Sequence, residues 1–192
     1  MIHEPSDDEL IARAARGDAP AFRALVVRFE PIVASVVIGM LGAGDEADDV
    51  GQETFIRFHA ALGQFRGDAS VGTYLRKIAM NLSLNALKQQ QRARLRLVRR
   101  DDSLVSLDEP VVDAIDMEQV ERHAMVHHAV SKLGEKQRSV VVLRLLEGLS
   151  TNETAAALQV PVGTVMSRLA RGMADLKRLL APYVQGAPDA SR

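Results

Sequence analysis

The sequence predicts an all-α protein built from two small helical domains. Three observations predict this fold. Of the 192 residues, 47% are apolar but only 4% are aromatic, so the core consists of Leu, Val, Ile and Ala, which favours helices. Apolar residues recur every three or four positions over most of the chain. No segment shows the alternation that is typical of a half-buried strand.

The charged residues occur in blocks, which indicates two domains with different partners. The formal net charge is only −1. Residues 91–100 nevertheless hold five Arg and no acid, and residues 101–121 hold eight acids and no base. The helical pattern also fails from Arg99 to about Asp116, where Pro110 occurs. We therefore expect a flexible charged linker over residues 93–117, between a front domain of residues 1–92 and a basic back domain of residues 118–192.

Several classes of protein are excluded or disfavoured. The chain has no cysteine, which excludes disulfides, a thiol nucleophile and the usual structural zinc site. The N-terminal residues lack the basic and apolar regions of a signal peptide. No uninterrupted apolar run reaches the ~18 residues of a membrane span. We expect a cytoplasmic protein without a cofactor, a metal site or a membrane insertion of its own.

The front domain is expected to be a four-helix bundle. Ser6 begins a capping box that precedes the first helix. The second helix begins at the cap residue Asp18, and we expect a kink at Pro31 because proline removes an intrahelical hydrogen bond. The third covers about residues 45–62, and the fourth runs from about residue 71 to 92.

The back domain has the layout of a helix-turn-helix motif. A helix over about residues 117–132 is followed by three closely spaced segments, at about 135–147, 151–157 and 162–180. Ser150 begins a second capping box. Gln159 departs from the motif, since it occupies the turn where glycine or asparagine commonly takes a positive φ, at a cost of about 1 kcal/mol. Polar residues remain on or beside the outward face of the last helix, namely Thr164, Ser167, Arg168 and Arg171. This face suits a DNA major groove, and Arg144 is a candidate for a backbone phosphate.

A polar and acidic ridge is expected on the third helix. Its members recur at spacings of three and four residues, which place them on one side of a helix: Asp45, Asp48, Asp49, Gln52 and Glu53. Such a ridge suits a basic partner. The spacing alone also leaves open a divalent-metal cluster or a solvated face.

Segments of both domains resemble one known family. Residues 143–150 (LRLLEGLS) and 161–169 (PVGTVMSRL) resemble the promoter-reading domain of extracytoplasmic-function sigma factors, the small members of the sigma-70 family. Residues 45–55 (DEADDVGQETF) resemble the polymerase-binding helix of that family. Residues 65–70 (FRGDAS), together with the following residues 73–81, resemble its promoter-melting segment.

The resemblance implies a protein that binds core RNA polymerase, brings it to promoters and opens the DNA without catalysing a covalent reaction. It assigns the acidic ridge to the polymerase. It assigns duplex DNA of the −35 element to the back domain, through Arg144, Thr164, Ser167, Arg168 and Arg171. It also implies that the front domain captures a single-stranded base of the −10 element, with Phe65, Lys77, Asn81 and Asn85 as candidates. An anti-sigma factor is a further expected partner.

Four departures from the family pattern concern DNA recognition. Tyr74 occupies a position where the family usually has Trp, so it could stack on a base or pack in the core. Met166 occupies a position that is often Lys or Arg, which removes one phosphate or base contact. Thr151 and Thr154 replace the usual aromatic and aliphatic residues, and together with the change at Met166 they predict a modest affinity for the −35 element.

Two alternative functions remain open from the residues alone. A transcription regulator that uses only its helix-turn-helix would bind intact duplex without polymerase, but it leaves the front segments unexplained. An enzyme is disfavoured because no Walker, nucleophile-elbow or dinucleotide motif occurs. His123 and His127 have helical spacing, but no Glu follows His123 as a metalloprotease motif requires.

Overall fold

The computed structural model describes residues 5–65, 67, 69–98 and 125–184, and every regular element within these ranges is helical. The predicted all-α fold is confirmed. The chain divides into two compact units, Met1–Gln91 and Arg92–Arg192. Each unit buries its own set of apolar side chains.

The front unit contains four α-helices. They are α1 (Asp7–Ala14), α2 (Ala19–Leu41), α3 (Asp45–Ala61) and α4 (Val71–Val98), with a short 3-10 turn at Leu62–Gln64 after α3. Four side chains from different helices form the centre of the core because each is almost fully buried: Leu10, Leu25, Phe58 and Leu75.

Capping side chains fix the start of the first two helices, as predicted. The Ser6 hydroxyl and the Glu9 carboxylate form the reciprocal capping box of α1. Asp18 accepts from the backbone N–H of Ala21 at 3.1 Å and from Nε of Arg13 at 2.8 Å. The Ala21 hydrogen bond and the Arg13 guanidinium lower the pKa of Asp18. The cap therefore stays ionised and anchors α2 to the end of α1.

Within the described residues, α2 is long and apolar enough to cross a membrane by length and composition. Arg28 and Glu30 interrupt the apolar residues of this helix, so its sequence contains no uninterrupted apolar run of membrane-spanning length. Arg28 pairs with Asp7 of α1 at 2.6 Å, and the apolar side of α2 packs into the front unit. We therefore interpret α2 as a core helix. It continues through Pro31 as a single helix.

The fourth helix is longer than predicted. It runs to Val98, so residues 93–98, which the sequence assigned to the flexible linker, are helical. The reason is local, since residues 91–98 (QRARLRLV) consist mostly of residues with high helix propensity. The rest of the expected linker lies outside the described residues.

The back unit contains α5 (described over residues 125–131), α6 (Glu135–Val141), a π-helical turn (Val142–Leu146), α7 (Thr151–Leu158) and α8 (Val162–Val184). The predicted segment 135–147 is thus divided between two helix types. The start of the predicted helix at residues 117–132 lies outside the described residues. Arg138 donates to the carbonyls of Ser131 and Leu133, which ties α6 to the end of α5. Burial lowers the pKa of this guanidinium.

The helix-turn-helix forms around a small apolar core, as predicted. Val140, Ala155 and Val165 are buried together, and Leu158, Val160 and Leu169 pack against them. Ser150 caps α7 with a complete capping box. Gln159 ends α7 with φ 54°, and the N–H of Val160 donates to the Ala155 carbonyl at 3.1 Å in a Schellman-type turn. This turn sets the direction in which α8 begins.

Candidate functional site

The acidic ridge is present on α3. Asp45, Asp48, Asp49 and Gln52 are exposed, and α3 buries its other side through Ala47, Thr54 and Phe58. Glu53 is half-buried and accepts from Nε of Arg57 at 2.7 Å. The ridge therefore presents three aspartates and one amide to solvent, while the carboxylate of Glu53 is held by Arg57 of the same helix.

An exposed apolar residue, which the sequence-based prediction did not include, lies within this ridge. Ile56 is 62% exposed and follows Gln52 by four residues, so both lie on one face of α3. The pattern Asp49, Gln52, Ile56 at spacings of three and four was the available signal. Among the described residues, no three His, Cys, Asp or Glu side chains are grouped as a metal site.

The residues expected near single-stranded DNA lie on α4 and just before it. Lys77 is half-buried, and Asn81 and Asn85 are exposed. Their spacing of four residues places all three on one face of α4. Ser70 caps the helix by accepting from the N–H of Thr73 at 3.2 Å, which fixes where this face begins.

Phe65 packs beside that face in an aromatic cluster. Its ring lies 5.4 Å from the Tyr74 ring and 6.3 Å from the Phe58 ring, both in T-shaped contact. Phe58 is fully buried, whereas Phe65 and Tyr74 are half-buried. Tyr74 therefore contributes to the core and also presents part of its ring at the surface, next to Phe65.

The outer face of α8 carries the polar residues that the sequence indicated. Ser167 and Arg171 are exposed, and Thr164 and Arg168 are half-buried. The Ser167 hydroxyl donates to the Thr164 carbonyl at 3.1 Å, which leaves its oxygen as an acceptor. Val165 lies on the opposite side and is fully buried. Because the side of α8 that contains Val165 packs in the core, the side that contains Ser167 and Arg171 faces outward.

Arg144 is held inside the back unit. Nη1 donates to the Leu149 carbonyl, and Nε is buried without a hydrogen-bond partner in the described part of the chain. The π-helical turn positions Arg144 at the start of the loop that leads to α7. This structural contact was not visible in the sequence, because it depends on the backbone path through Gly148, which has φ 65°.

Comparison with known proteins identifies the family. Sigma-70 region 2 matches residues 25–93, and Sigma-70 region 4 matches residues 123–176. The RNA polymerase sigma-H factor of Pseudomonas aeruginosa is 34% identical over 97% of this chain and 100% of its own length. The ECF RNA polymerase sigma-E factor of Escherichia coli K12 is 35% identical over 96% of this chain and 100% of its own length. The chain belongs to the extracytoplasmic-function sigma factors of the sigma-70 family.

Solved structures agree with this assignment. CnrH, in complex with the cytosolic domain of CnrY, covers 90% of this sigma factor at a TM-score of 0.63 and 29% identity, and 96% of CnrH is matched. RpoE of Bartonella quintana, in complex with the anti-sigma factor NepR, covers 83% of the chain at a TM-score of 0.61 and 23% identity, with 96% of that chain matched. The second likeness shows the fold alone.

The two matched regions contain the surfaces described above. Region 2 includes the α3 ridge, Phe65 and the exposed face of α4, and region 4 includes Arg144 and the outer face of α8. As a member of this family, the sigma factor directs transcription initiation by RNA polymerase.

Proposed function

We propose that this sigma factor binds core RNA polymerase through α3, captures the −10 element with the front domain and reads the −35 element with α8. The proposal assigns residues 1–92 to the front domain, 93–117 to the linker and 118–192 to the back domain. The observation that supports it best is the exposure of the α3 ridge and of the outer face of α8. Neither face is needed for the core of its own unit.

The α3 ridge is proposed to bind a basic surface of the polymerase. Asp45, Asp48 and Asp49 supply negative charge, Gln52 supplies an amide that donates and accepts, and Glu53 supports the ridge through its pair with Arg57. Exposed charges of this kind steer association and fix register more than they add affinity. Ile56 is placed where an apolar side chain can be desolvated between these charges, which is typical of an interface anchor.

The face of α4 is proposed to hold the non-template strand of the −10 element. Extruding a base from a duplex costs a few kcal/mol, and stacking on aromatic rings offsets part of this cost. Phe65, supported by Tyr74, offers such a ring edge or face at the surface. The amides of Asn81 and Asn85 can pair with a base edge, and Lys77 lies where it can neutralise a phosphate.

The outer face of α8 is proposed to enter the major groove at the −35 element. Arg171 and Arg168 carry guanidinium groups that can contact guanine or phosphate, and the hydroxyls of Thr164 and Ser167 add short polar contacts. Arg144 uses one donor on the Leu149 carbonyl. Its remaining Nη donors, but not the buried Nε, are proposed to contact a backbone phosphate, because a guanidinium has five N–H groups.

The protein is proposed to be a non-catalytic factor of the cytoplasm that needs no cofactor. Initiation requires binding, positioning and strand separation, and the polymerase itself forms the phosphodiester bonds. Control by an anti-sigma factor is also proposed. The similarity to CnrH, which forms a complex with the cytosolic domain of CnrY, and the family membership of the chain support that part of the proposal.

The experiment that tests the polymerase contact is a competition for core polymerase between the wild-type chain and Asp49→Arg. We expect the charge reversal to weaken binding about ten-fold or more, because it places a cation against a basic surface. The matched control is Glu30→Arg, which reverses an exposed acid on α2, outside the ridge. Equal affinity of wild type and Asp49→Arg, or an equal loss in both variants, would contradict the proposal.

A further inference from the structure

An exposed apolar stripe runs along α8 beside its polar face. Val162, Met166 and Met173 are 42%, 62% and 46% exposed. Their spacings of four and seven residues place them on one side of the helix. Met166 lies about 100° around the helix axis from Ser167 and about 140° from Arg171. Ser167 thus lies between Met166 and Arg171 on the side of α8 that faces away from buried Val165. Met166 is the most exposed of the three, so most of its side chain is available to a partner.

Only the first part of the stripe lies where base edges are read. Met166 is in the second turn of α8, and residues in the first turns of a recognition helix contact bases. Met173 is seven residues further, which is about 10 Å along the helix axis. The major groove is about 12 Å wide, so a helix that places Ser167 against the bases carries Met173 away from them.

The chemistry of Met166 selects its target. A thioether has no charge and no N–H or O–H donor, so it gains little from a phosphate or from the polar edge of a guanine. The one apolar group in the major groove is the C5-methyl of thymine. The unbranched, adaptable side chain of methionine is suited to cover such a group.

We propose that Met166 is a specificity-determining residue that packs against the C5-methyl group of one thymine in the −35 element. This inference rests on the proposed role of α8 in reading that element. Burial of roughly one methyl group corresponds to about a four-fold preference. Met166 therefore makes the sigma factor prefer thymine at one position, in place of the phosphate or base contact that a basic residue would make there.

The test uses holoenzyme formed from core polymerase and the full chain. Run-off transcription from a library randomised over the −35 region first gives the preferred element for wild type. Each selected thymine is then replaced, one at a time, by deoxyuridine, which lacks only the methyl group. Initiation is compared for wild type, Met166→Ala and the matched control Met173→Ala.

At one thymine, we expect deoxyuridine to lower initiation about four-fold for wild type and Met173→Ala, and to have no effect for Met166→Ala. Equal effects of deoxyuridine in wild type and Met166→Ala, or a selected element without thymine, would overturn the inference. An equal loss of initiation in Met166→Ala and Met173→Ala on every template would also overturn it, since the stripe then binds a protein surface.

The same experiment separates this inference from the proposed function on which it rests. If wild type selects no promoter at all, the proposed function fails, whereas failure of this inference alone leaves promoter selection intact.

Discussion

At the scale of single residues, the arginines of the back unit have two different environments. Arg144 donates to the Leu149 carbonyl and is half-buried, whereas Arg171 is exposed on the outer face of α8. Both are proposed to contact DNA. Arg144 therefore has a structural role that Arg171 lacks. A substitution of Arg144 should lower the stability of the back unit, whereas a substitution of either arginine should remove a proposed phosphate contact.

We predict that Arg144→Gln and Arg171→Gln each reduce the dependence of promoter binding on salt. The slope of log K against log salt concentration falls by about 0.9 for each phosphate contact that is lost. Only Arg144→Gln should also destabilise the loop before α7, which hydrogen exchange of its amides measures. An unchanged slope with a destabilised loop would show that Arg144 is structural only. Lys132→Gln, an exposed cation on the α5 side of this unit, is the control.

Residues whose role depends on near neighbours in sequence were predictable, and the others were not. Both capping boxes and the positive φ of Gln159 follow from short-range patterns. Arg144 lies in a π-helical turn and donates to the Leu149 carbonyl across the bend at Gly148, and the apolar spacing of this segment does not indicate that backbone path. The T-shaped contact of Phe65 with Tyr74 joins two elements through a loop, so spacing could not reveal it.

At the scale of elements, α1 and α7 each begin with a complete capping box, so the stability of each helix can be tested by removing its own cap. Ser150→Ala removes the hydroxyl that accepts from Glu153 N–H at 3.2 Å, and we expect α7 to lose about 1 kcal/mol. Hydrogen exchange should show faster exchange in α7 and unchanged exchange in α1. Ser6→Ala is the reciprocal control because it removes the equivalent contact in the front unit. Equal changes in both helices after either substitution would contradict this account.

The packing of α8 on α6 depends on a glycine. A Cβ at Gly172 would lie 2.8 Å from Cγ2 of Val141 and 3.5 Å from Cβ of Gln137. We expect Gly172→Ala to lower the free energy of unfolding of the back unit by about 1–3 kcal/mol, because overpacking displaces the helices. Hydrogen exchange of the α6 and α8 amides would measure this change.

Gly163→Ala is the matched control for that experiment, since it adds the same methyl group to the same helix. No atom lies within 4 Å of its Cβ position. Stability should rise by up to about 1 kcal/mol, since alanine is favoured over glycine within a helix. A loss of stability at Gly163, or none at Gly172, would contradict the described packing.

The lengths of the elements were predicted less well than their existence. The sequence predicted that the fourth helix ends near residue 92, but α4 reaches Val98. High helix propensity extends a helix beyond the part that packs. The apolar character of α2 was also underestimated, because Arg28 and Glu30 interrupt its apolar residues in the sequence. In the structure Arg28 pairs with Asp7 of α1, and the opposite side of α2 is still buried.

At the scale of the whole molecule, the two units present surfaces of different charge. The α3 ridge of the front unit is acidic, whereas the outer face of α8 in the back unit carries arginines. The block pattern of charge in the sequence indicated this division, although the net charge of −1 conceals it. This division of charge is consistent with the proposal that one chain binds a basic protein surface with α3 and a phosphate backbone with α8.

The most direct test of the account is run-off transcription from fragmented genomic DNA by bacterial core polymerase, with and without this protein. The account predicts new start sites that depend on the protein and share a pair of upstream elements, one near −35 and one near −10. The loss of these starts with Asp49→Arg would connect them to the α3 ridge. If the polymerase starts nowhere new while the chain alone binds intact duplex specifically, the central claim is contradicted, and the helix-turn-helix acts as a regulator without the polymerase.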